Sequence, residues 1–470
     1  MKLTLRNLGR LREATIDLSK DLIVLTGPNN TSKTYVAHAL YGFAADIPMA
    51  ISFATKNVLV HFAAEMPDAE GLLRINIAEF VERFLPQIQT EIVNRFRQRL
   101  ADTLASSEEF IARTEVKLEL SDEQIAKRKQ SLIESEDETL LEERGMISRK
   151  AAGDAIWIFE RVPSPSPSVG EEPTGAPRFL LRTFAAANIA TGLVTHLLQM
   201  PWHTHALTAE RAAIQLFSRE LSLKRTELVD ELLKLHSAPS ANTGEVLEEM
   251  LAQRAQRYPR AIRDGLRIAN DAARYKAASS PLAPLAEHLE RGLLGGAIRI
   301  NEEGEMSFHP NESETRLSLH LASSSVKSLA ALSFFLRHIA VKDFFLIIDE
   351  PELNLHPDNQ RRVARVLARI VRSGIKVLIS THSDYIIREL NNLIMLSSDK
   401  DGSVRQRLGY DEQETLTPEQ VGAYLFDSER ANHIEVKPTG IEVATIDKEI
   451  NALNRVSQDI YFSLFDKPGA

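Results

Sequence analysis

The chain contains no cysteine, and that absence removes disulfide cross-links, thiolate nucleophiles and cysteine-ligated zinc together. It also suits a reducing compartment, so a cytoplasmic location is expected. Long apolar runs are lacking too. The most apolar stretches singled out, near 184–200 and 328–348, are interrupted by Asn188 and His196 and by Arg337, Lys342 and Asp343, so no membrane span is expected. The opening residues Met1-Lys2-Leu3-Thr4-Leu5-Arg6 have no apolar core of the kind a secretion signal needs. Excess positive charge is missing as well: a net charge of -9 means that no overall polycation draws the chain to nucleic acid, which leaves only a local basic groove for that role. What is present is 43% hydrophobic and 26% charged residues, the balance of a water-soluble globular protein. At 470 residues there is room for about two to three domains.

The organising stretch is Phe344-Phe345-Leu346-Ile347-Ile348-Asp349-Glu350-Pro351-Glu352-Leu353-Asn354-Leu355-His356-Pro357. Five consecutive apolar residues read as a strand covered on both faces, and two carboxylates arrive at its carboxyl end, where open α/β sheets bind ligands. Adjacent carboxylates there suit nucleotide hydrolysis, with Asp349 holding magnesium through water and Glu350 orienting or deprotonating the attacking water. Asp-Glu-Pro can also simply cap a helix after a strand.

A second stretch decides between these. Leu22-Ile23-Val24-Leu25-Thr26 reads as a buried strand, and Gly27-Pro28-Asn29-Asn30-Thr31-Ser32-Lys33-Thr34 follows it. A helix then places Val36, Ala39, Leu40 and Phe43 on one face. Strand, tight polar loop and helix form the context of a phosphate-binding loop, whose backbone N–H groups cradle phosphates at the helix N-terminus. Lys33 would reach the β- and γ-phosphates and the Thr34 hydroxyl would complete the magnesium shell begun by Asp349. Ser32 stands where the pattern has glycine, so ATP binding is expected together with slow turnover.

Along the chain, residues 2–6 and 13–18 alternate like half-exposed strands. The helix after the loop is expected to end near Ala45, before Pro48. Most of 51–294 then has helical period. Ile75 to Leu104 carries Phe80, Phe84, Ile88, Ile92, Phe96, Leu100 and Leu104 at helical spacing, with Pro86 as a kink or break, and 114–120 alternates like a short strand. Ser121 opens a capping box with Gln124. The apolar residues from Ile125 to Ile147 recur every seven positions, which suits a helical hairpin, a short coiled coil or a solvated helix with a thin buried stripe. Five prolines between 163 and 177 indicate a disordered surface loop over 162–177. His203 and His205 fall on one side of a short strand with no third metal ligand in sight. After Gly292, Gly295 and Gly296, three short strands near 297–300, 306–309 and 316–321 read as a meander. The expected division is thus 1–50 and 295–400 as two parts of one α/β head, 51–294 as a large, mainly helical insertion, and 401–470 as a C-terminal extension.

Ala322-Ser323-Ser324-Ser325-Val326-Lys327-Ser328-Leu329 opens an apolar helix shortly before the Asp349 strand, and its serines form an N-cap. Val377-Leu378-Ile379-Ser380 is a further buried strand that delivers Thr381-His382-Ser383 to the same sheet edge. Lys33, the serine cluster, Asp349-Glu350 and His382 occur in the order found in ATP-binding cassette (ABC) ATPases, and the chain resembles that class. The resemblance implies that Ser323, Ser324 and Ser325 form a signature facing the γ-phosphate held by an opposite subunit, and that His382 is the switch histidine. Ser324 and Ser325 stand where glycines are common, and no glutamine is identified as the usual magnesium sensor.

Residues 349–357 with Thr381-His382-Ser383-Asp384-Tyr385-Ile386-Ile387 look like the OLD-type and related SMC-like ATPases, many of which serve in bacterial anti-phage systems. Thr208-Ala209-Glu210-Arg211 is similar to the Pro-Ala-Glu-Arg element of that group. The resemblance covers about residues 1–45 and 295–400, and it places His356 in the loop that crosses the dimer interface. It implies an ATP- and Mg2+-dependent ATPase that works as a dimer or larger homo-oligomer. Only about 70 residues follow Met395, and neither a Toprim domain nor another nuclease constellation is evident. The resemblance therefore implies a sensor and scaffold that controls a separate effector, a nuclease or toxin, with DNA or a phage protein as trigger. Two alternatives stay open: an SMC-like ATPase acting on DNA in repair, with the clusters Arg95-Arg97-Arg99 and Lys127-Arg128-Lys129 as basic patches, and a non-hydrolysing nucleotide-dependent scaffold.

Overall fold

A strand buried on both faces must be apolar throughout, and three such strands form the middle of the main sheet. The computed structural model describes residues 1–65, 73–141, 146–161, 203–218, 258–311 and 313–465, with Val194, Leu198 and Pro201. The described chain divides into two units. The larger comprises Leu5–Gly42, Ala101–Thr114 and His203–Ala470, and the smaller Met1–Thr4, Phe43–Leu100 and Glu115–Trp202. In chain order, eight of the nine described strands of the main sheet are β1 (Lys2–Leu8), β2 (Leu11–Asp17), β3 (Leu22–Thr26), β4 (His203–Leu207), β5 (Phe344–Asp349), β6 (Lys376–Thr381), β7 (Val421–Phe426) and β8 (Arg430–Ile434). Across the sheet they run β1-β2-β8-β7-β3-β6-β5-β4. The pairs β7–β3, β3–β6, β6–β5 and β5–β4 are parallel, and β7–β8 is antiparallel.

The register fixes the site. Thr381 lies opposite Thr26, Ser380 opposite Asp349, and Ile348 opposite Leu207. The loops that leave β3, β5, β6 and β4 therefore share one edge. Each opens a helical segment: α1 (Lys33–Glu65) follows β3, α3 (Pro357–Arg372) follows β5 and α4 (Asp384–Met395) follows β6, while α2 (Ser324–Phe334) precedes β5. Leu329, Leu332, Val363, Leu367, Ile370, Ile386, Leu390 and Leu393 of the last three helices pack against Leu346, Ile348, Val377 and Ile379 of the sheet. Each fully buried aliphatic side chain of this kind stabilises by roughly 1.5–3 kcal/mol, so the core holds the edge of the sheet firmly. The expected meander is present as antiparallel strands Gly296–Ile300, Met306–Pro310 and Leu317–Ser318. Its Ile298, Met306 and Phe308 pack on Val326, Ala330 and Phe334 and so carry α2.

Several expectations change. The helix after the loop does not stop before Pro48 but runs from Lys33 to Glu65 with that proline inside. A mid-helix proline removes one backbone bond and crowds the preceding turn, while burial of Ile47, Ala50, Ile51 and Ala54 offsets that cost. By length and composition Lys33–Ala54 could cross a membrane, yet 72% of its apolar window is buried inside the protein, as in a core helix. Pro86 likewise lies within an unbroken helix, Ile77–Leu104, whose Phe80, Phe84, Ile88, Ile92, Phe96 and Leu100 are all buried as the spacing predicts.

The seven-residue recurrence is not a hairpin of helices. The capping box at Ser121 does open a helix, Asp122–Glu134, but Asp137–Leu141 and Met146–Lys150 are paired antiparallel strands. The buried Lys150 donates to the carbonyl of Ile133 at 2.8 Å and to that of Ser135, which satisfies the last turn and ends the helix there. With Ile156–Arg161 and Leu73–Asn76 these strands form a four-stranded sheet inside the insertion. His203–Leu207, also within 51–294, belongs to the main sheet. So do Val421–Phe426 and Arg430–Ile434 of the segment expected as an extension, with β7 placed directly beside β3. The proline-rich loop at 162–177 lies outside the described residues.

Candidate nucleotide-binding site

Gly27 leaves β3 with φ of 134°, a backbone region essentially reserved for glycine, and a Cβ there would come within 2.3 Å of the Phe426 carbonyl oxygen. Pro28, Asn29 and Asn30 form an exposed crest. Asn30 and Ser32 both adopt positive φ, 63° and 70°. Asparagine tolerates this conformation well, whereas serine meets a penalty of roughly 1–2 kcal/mol. The missing glycine thus changes the energy of the turn and not its path. Thr31 donates its hydroxyl to the Pro28 carbonyl at 2.8 Å, and the buried Lys33 ammonium donates to the carbonyls of Gly27 and Pro28 at 2.9 and 2.7 Å. Burial pulls the Lys33 pKa down against the opposing pull of Glu350, Asp349 and Glu352.

Thr34, on the first turn of α1, donates its hydroxyl to Asp349 Oδ2 at 3.1 Å, although the two lie 315 positions apart. The other oxygen, Oδ1, accepts from the Ser380 hydroxyl. Thr34 and Asp349 thus set two hard oxygen donors side by side, a donor chemistry that would suit one magnesium ion held directly or through water.

Glu350 departs from the ordinary backbone, with φ of 50°. Its N–H donates to the Ser380 carbonyl at 3.0 Å. Burial raises its carboxyl above the usual glutamate range, and Asp349 and Glu352 push the same way while His382 opposes. His382 Nδ1 lies 3.7 Å from Glu350 Oε1 and 3.3 Å from Glu352 Oε1. That Glu352 oxygen also accepts from the Thr381 hydroxyl at 2.8 Å and from the His382 N–H at 2.9 Å. Glu352 therefore fixes the strand end that carries His382, and the ring nitrogen lies between Glu352 and Glu350. A charged lysine, a two-oxygen cation seat, a raised carboxyl and a histidine on one edge can bind a polyphosphate and activate a water beside it.

Ser323, Ser324 and Ser325 stay apart from this group. Ser323 caps α2 by accepting from the Val326 N–H at 3.3 Å and touches the Ser325 hydroxyl at 3.1 Å. Ser323 and Ser324 are exposed, and among the described residues no hydrogen bond joins the three serines to 27–34. His356 is also exposed, capping α3 by accepting from the Asp358 N–H at 3.3 Å. His203 and His205 stack on Phe344 and Phe335 with centroids 5.1 and 4.5 Å apart, and no grouping of three or more metal-ligating side chains occurs among the described residues. Sequence reasoning did not single out Ser380, Thr381 or Glu352 as site residues. Ser380 reaches Asp349 because the two lie opposite each other in the β5–β6 register, a relation visible only once the strands are paired.

The match to known families falls on the same elements. The sequence model of the AAA ATPase domain family matches residues 208–387. That span includes α2, Asp349-Glu350 and His382, and the sheet register adds the 27–34 loop to it. Residues 208–387 thus match an AAA ATPase domain within an α/β fold that carries a large insertion. No curated protein matches the chain. Among solved structures it is similar to an SMC head bound to the C-terminal winged-helix domain of ScpA, at 11% identity over 92% of this chain and 96% of that one, with a TM-score of 0.33. It is also similar to an SMC head domain with an extended coiled coil bound to the C-terminal domain of ScpA derived from Pyrococcus furiosus, at 12% identity over 97% and 98% and a TM-score of 0.32.

Proposed function

We propose that the chain binds ATP with Mg2+ between two copies of itself and hydrolyses it slowly, as the cytoplasmic sensor and scaffold of an anti-phage system that holds or releases a separate nuclease or toxin. The observation that carries the ATPase reading is the 3.1 Å contact between Thr34 and Asp349 with Glu350 and His382 on the same edge. Thr34 and Asp349 would hold the ion, which when bound neutralises phosphate charge. The N–H groups of the 27–34 loop and Lys33 hold the phosphates, with the Lys33 ammonium moving off the Gly27 and Pro28 carbonyls to do so. Glu350 takes a proton from the attacking water, and His382 supports the charge that forms at the terminal phosphate. The exposed N-terminus of α2 with Ser323, Ser324 and Ser325, and the exposed His356, are left for the second copy.

The defence assignment rests on the resemblance of 349–357 and 381–387 to OLD-type ATPases. A surface for an effector is offered by the C-terminal helix Ala444–Leu464, where Leu453, Val456, Ile460, Tyr461, Phe462 and Leu464 are exposed. Mass photometry with and without ATP and magnesium, with phosphate release in parallel, tests the enzyme. Glu350→Gln should trap an ATP-dependent assembly without turnover, and Lys33→Ala should neither assemble nor turn over. Identical masses and no phosphate from all three proteins would end the ATPase reading, and salt-sensitive DNA binding by the wild type would favour the DNA-repair alternative.

A further inference from the structure

Arg211 follows β4 and is almost fully buried, at 3% exposure. A guanidinium has five N–H donors and is costly to bury without acceptors. Here the acceptors are four backbone carbonyls: Ser328 from Nε at 2.9 Å, Thr208 and Asp349 from Nη1 at 3.2 and 2.8 Å, and Glu350 from Nη2 at 2.9 Å. Among the described residues no carboxylate binds it directly, and its charge is balanced through space by Glu352, Asp349, Glu350 and Glu210. Ser328 lies in the first turns of α2, while Asp349 and Glu350 end β5. One side chain therefore ties the serine-capped helix to the carboxylate edge.

The tie falls where the backbone most needs support. Glu350 holds φ of 50° and precedes Pro351, and the ring of a following proline narrows the conformations open to that residue. Such a residue persists only when its surroundings over-determine it. A second tie runs alongside: Asn354, with φ of 60°, donates its side-chain amide to the Ser328 hydroxyl at 3.3 Å.

We infer that Arg211 is a positioning residue that holds the Glu350 peptide in its productive conformation and fastens it to α2, so that seating of α2 on a neighbouring copy's nucleotide is transmitted to Glu350. This rests on the ATPase reading above. In an assembly of two copies the same strut links the two nucleotide sites, because α2 of each chain serves one site and Glu350 of the same chain serves the other.

The test compares wild type, Arg211→Lys and Asn354→Gly. Lysine keeps the charge but cannot span four carbonyls, and glycine at the exposed position 354 keeps the backbone conformation while removing the amide. Affinity for a fluorescent ATP analogue, steady-state phosphate release, thermal midpoint and assembly mass are measured together. Arg211→Lys should lower kcat by about tenfold or more with KM within about threefold. Its assembly should persist while the wild type's rise in per-subunit rate with protein concentration disappears. Asn354→Gly should lower kcat by roughly two- to fivefold at unchanged KM. Unchanged kcat in Arg211→Lys overturns the inference, as does a joint loss of affinity, thermal midpoint and rate, which would mark a merely structural residue. Should Arg211→Lys fail to fold, unchanged kcat in Asn354→Gly overturns it. A wild type that binds no ATP ends the ATPase reading, and this inference with it.

Discussion

Gly27 and Phe426 sit back to back, with the position of a Cβ on Gly27 only 2.3 Å from the Phe426 carbonyl oxygen. The phosphate-loop strand and a strand almost 400 positions later are so close that only a hydrogen atom fits between them.

Gly27→Ala should therefore displace either the loop or β7. The substituted residue must also hold φ of 134°, so a destabilisation of about 3 kcal/mol or more is expected, with loss of ATP binding. Urea unfolding and nucleotide titration check it, and a stable variant with normal affinity would show that the contact is not kept in solution.

Ser32→Gly should act in the opposite direction. Relief of the positive-φ penalty of roughly 1–2 kcal/mol, less an unfolded-state entropy cost of about 0.4–1 kcal/mol, leaves a net gain of about 0.5–1 kcal/mol. The denaturation midpoint reads this gain directly. If the midpoint falls instead, the serine hydroxyl supports the loop in a way its geometry does not reveal.

Glu350 should set the acid limb of the pH–rate profile. It accepts a proton from water only when ionised, and burial raises its pKa above the ordinary 4.5. Activity as kcat/KM should therefore begin to fall, as pH is lowered, at a higher pH than an exposed glutamate would give. His382, more than Lys33, opposes that rise. His382→Ala should move the limb upward as well as lower the rate, and an unmoved limb would separate the two residues.

His205 should make stability pH-dependent. It is buried against Phe335, and burial lowers its pKa from 6.5 to about 4. Above 6.5 the ring is neutral in both states and its contribution is complete. As pH falls below 6.5 the unfolded chain takes up the proton first, and stability drops until the folded protein follows near pH 4. The expected loss is about 2 kcal/mol at pH 5. Urea unfolding of wild type and His205→Leu at pH 7.5 and 5 should show that extra loss in the wild type alone, and parallel behaviour would mean His205 titrates normally.

The local chemistry of this fold is legible in the sequence because it is written in contiguous residues. The loop 27–34, the pair Asp349-Glu350 and the strand leading to His382 each announce themselves by an apolar run followed by polar residues at its carboxyl end. The contacts that complete the site are not contiguous. Ser380 reaches Asp349 only because β5 and β6 pair in one register, and Arg211 reaches Glu350 only because β4 is the far neighbour of β5. Helix ends were the weakest point. Pro48 stops a helix in isolation but not one with buried residues on both sides, and the helix at 122–134 ends because Lys150, a residue of a later strand, takes its last carbonyls.

The position of β3 between β6 and β7 has a consequence for biosynthesis. Both neighbours, Lys376–Thr381 and Val421–Phe426, are made long after Leu22–Thr26. At about 5–20 residues per second the ribosome needs roughly 20–80 s to deliver them. Throughout that interval an apolar strand and its polar loop have emerged without their partners, so nothing yet holds the loop between two neighbouring strands. The edge that carries the loop is complete only once Phe426 has been made.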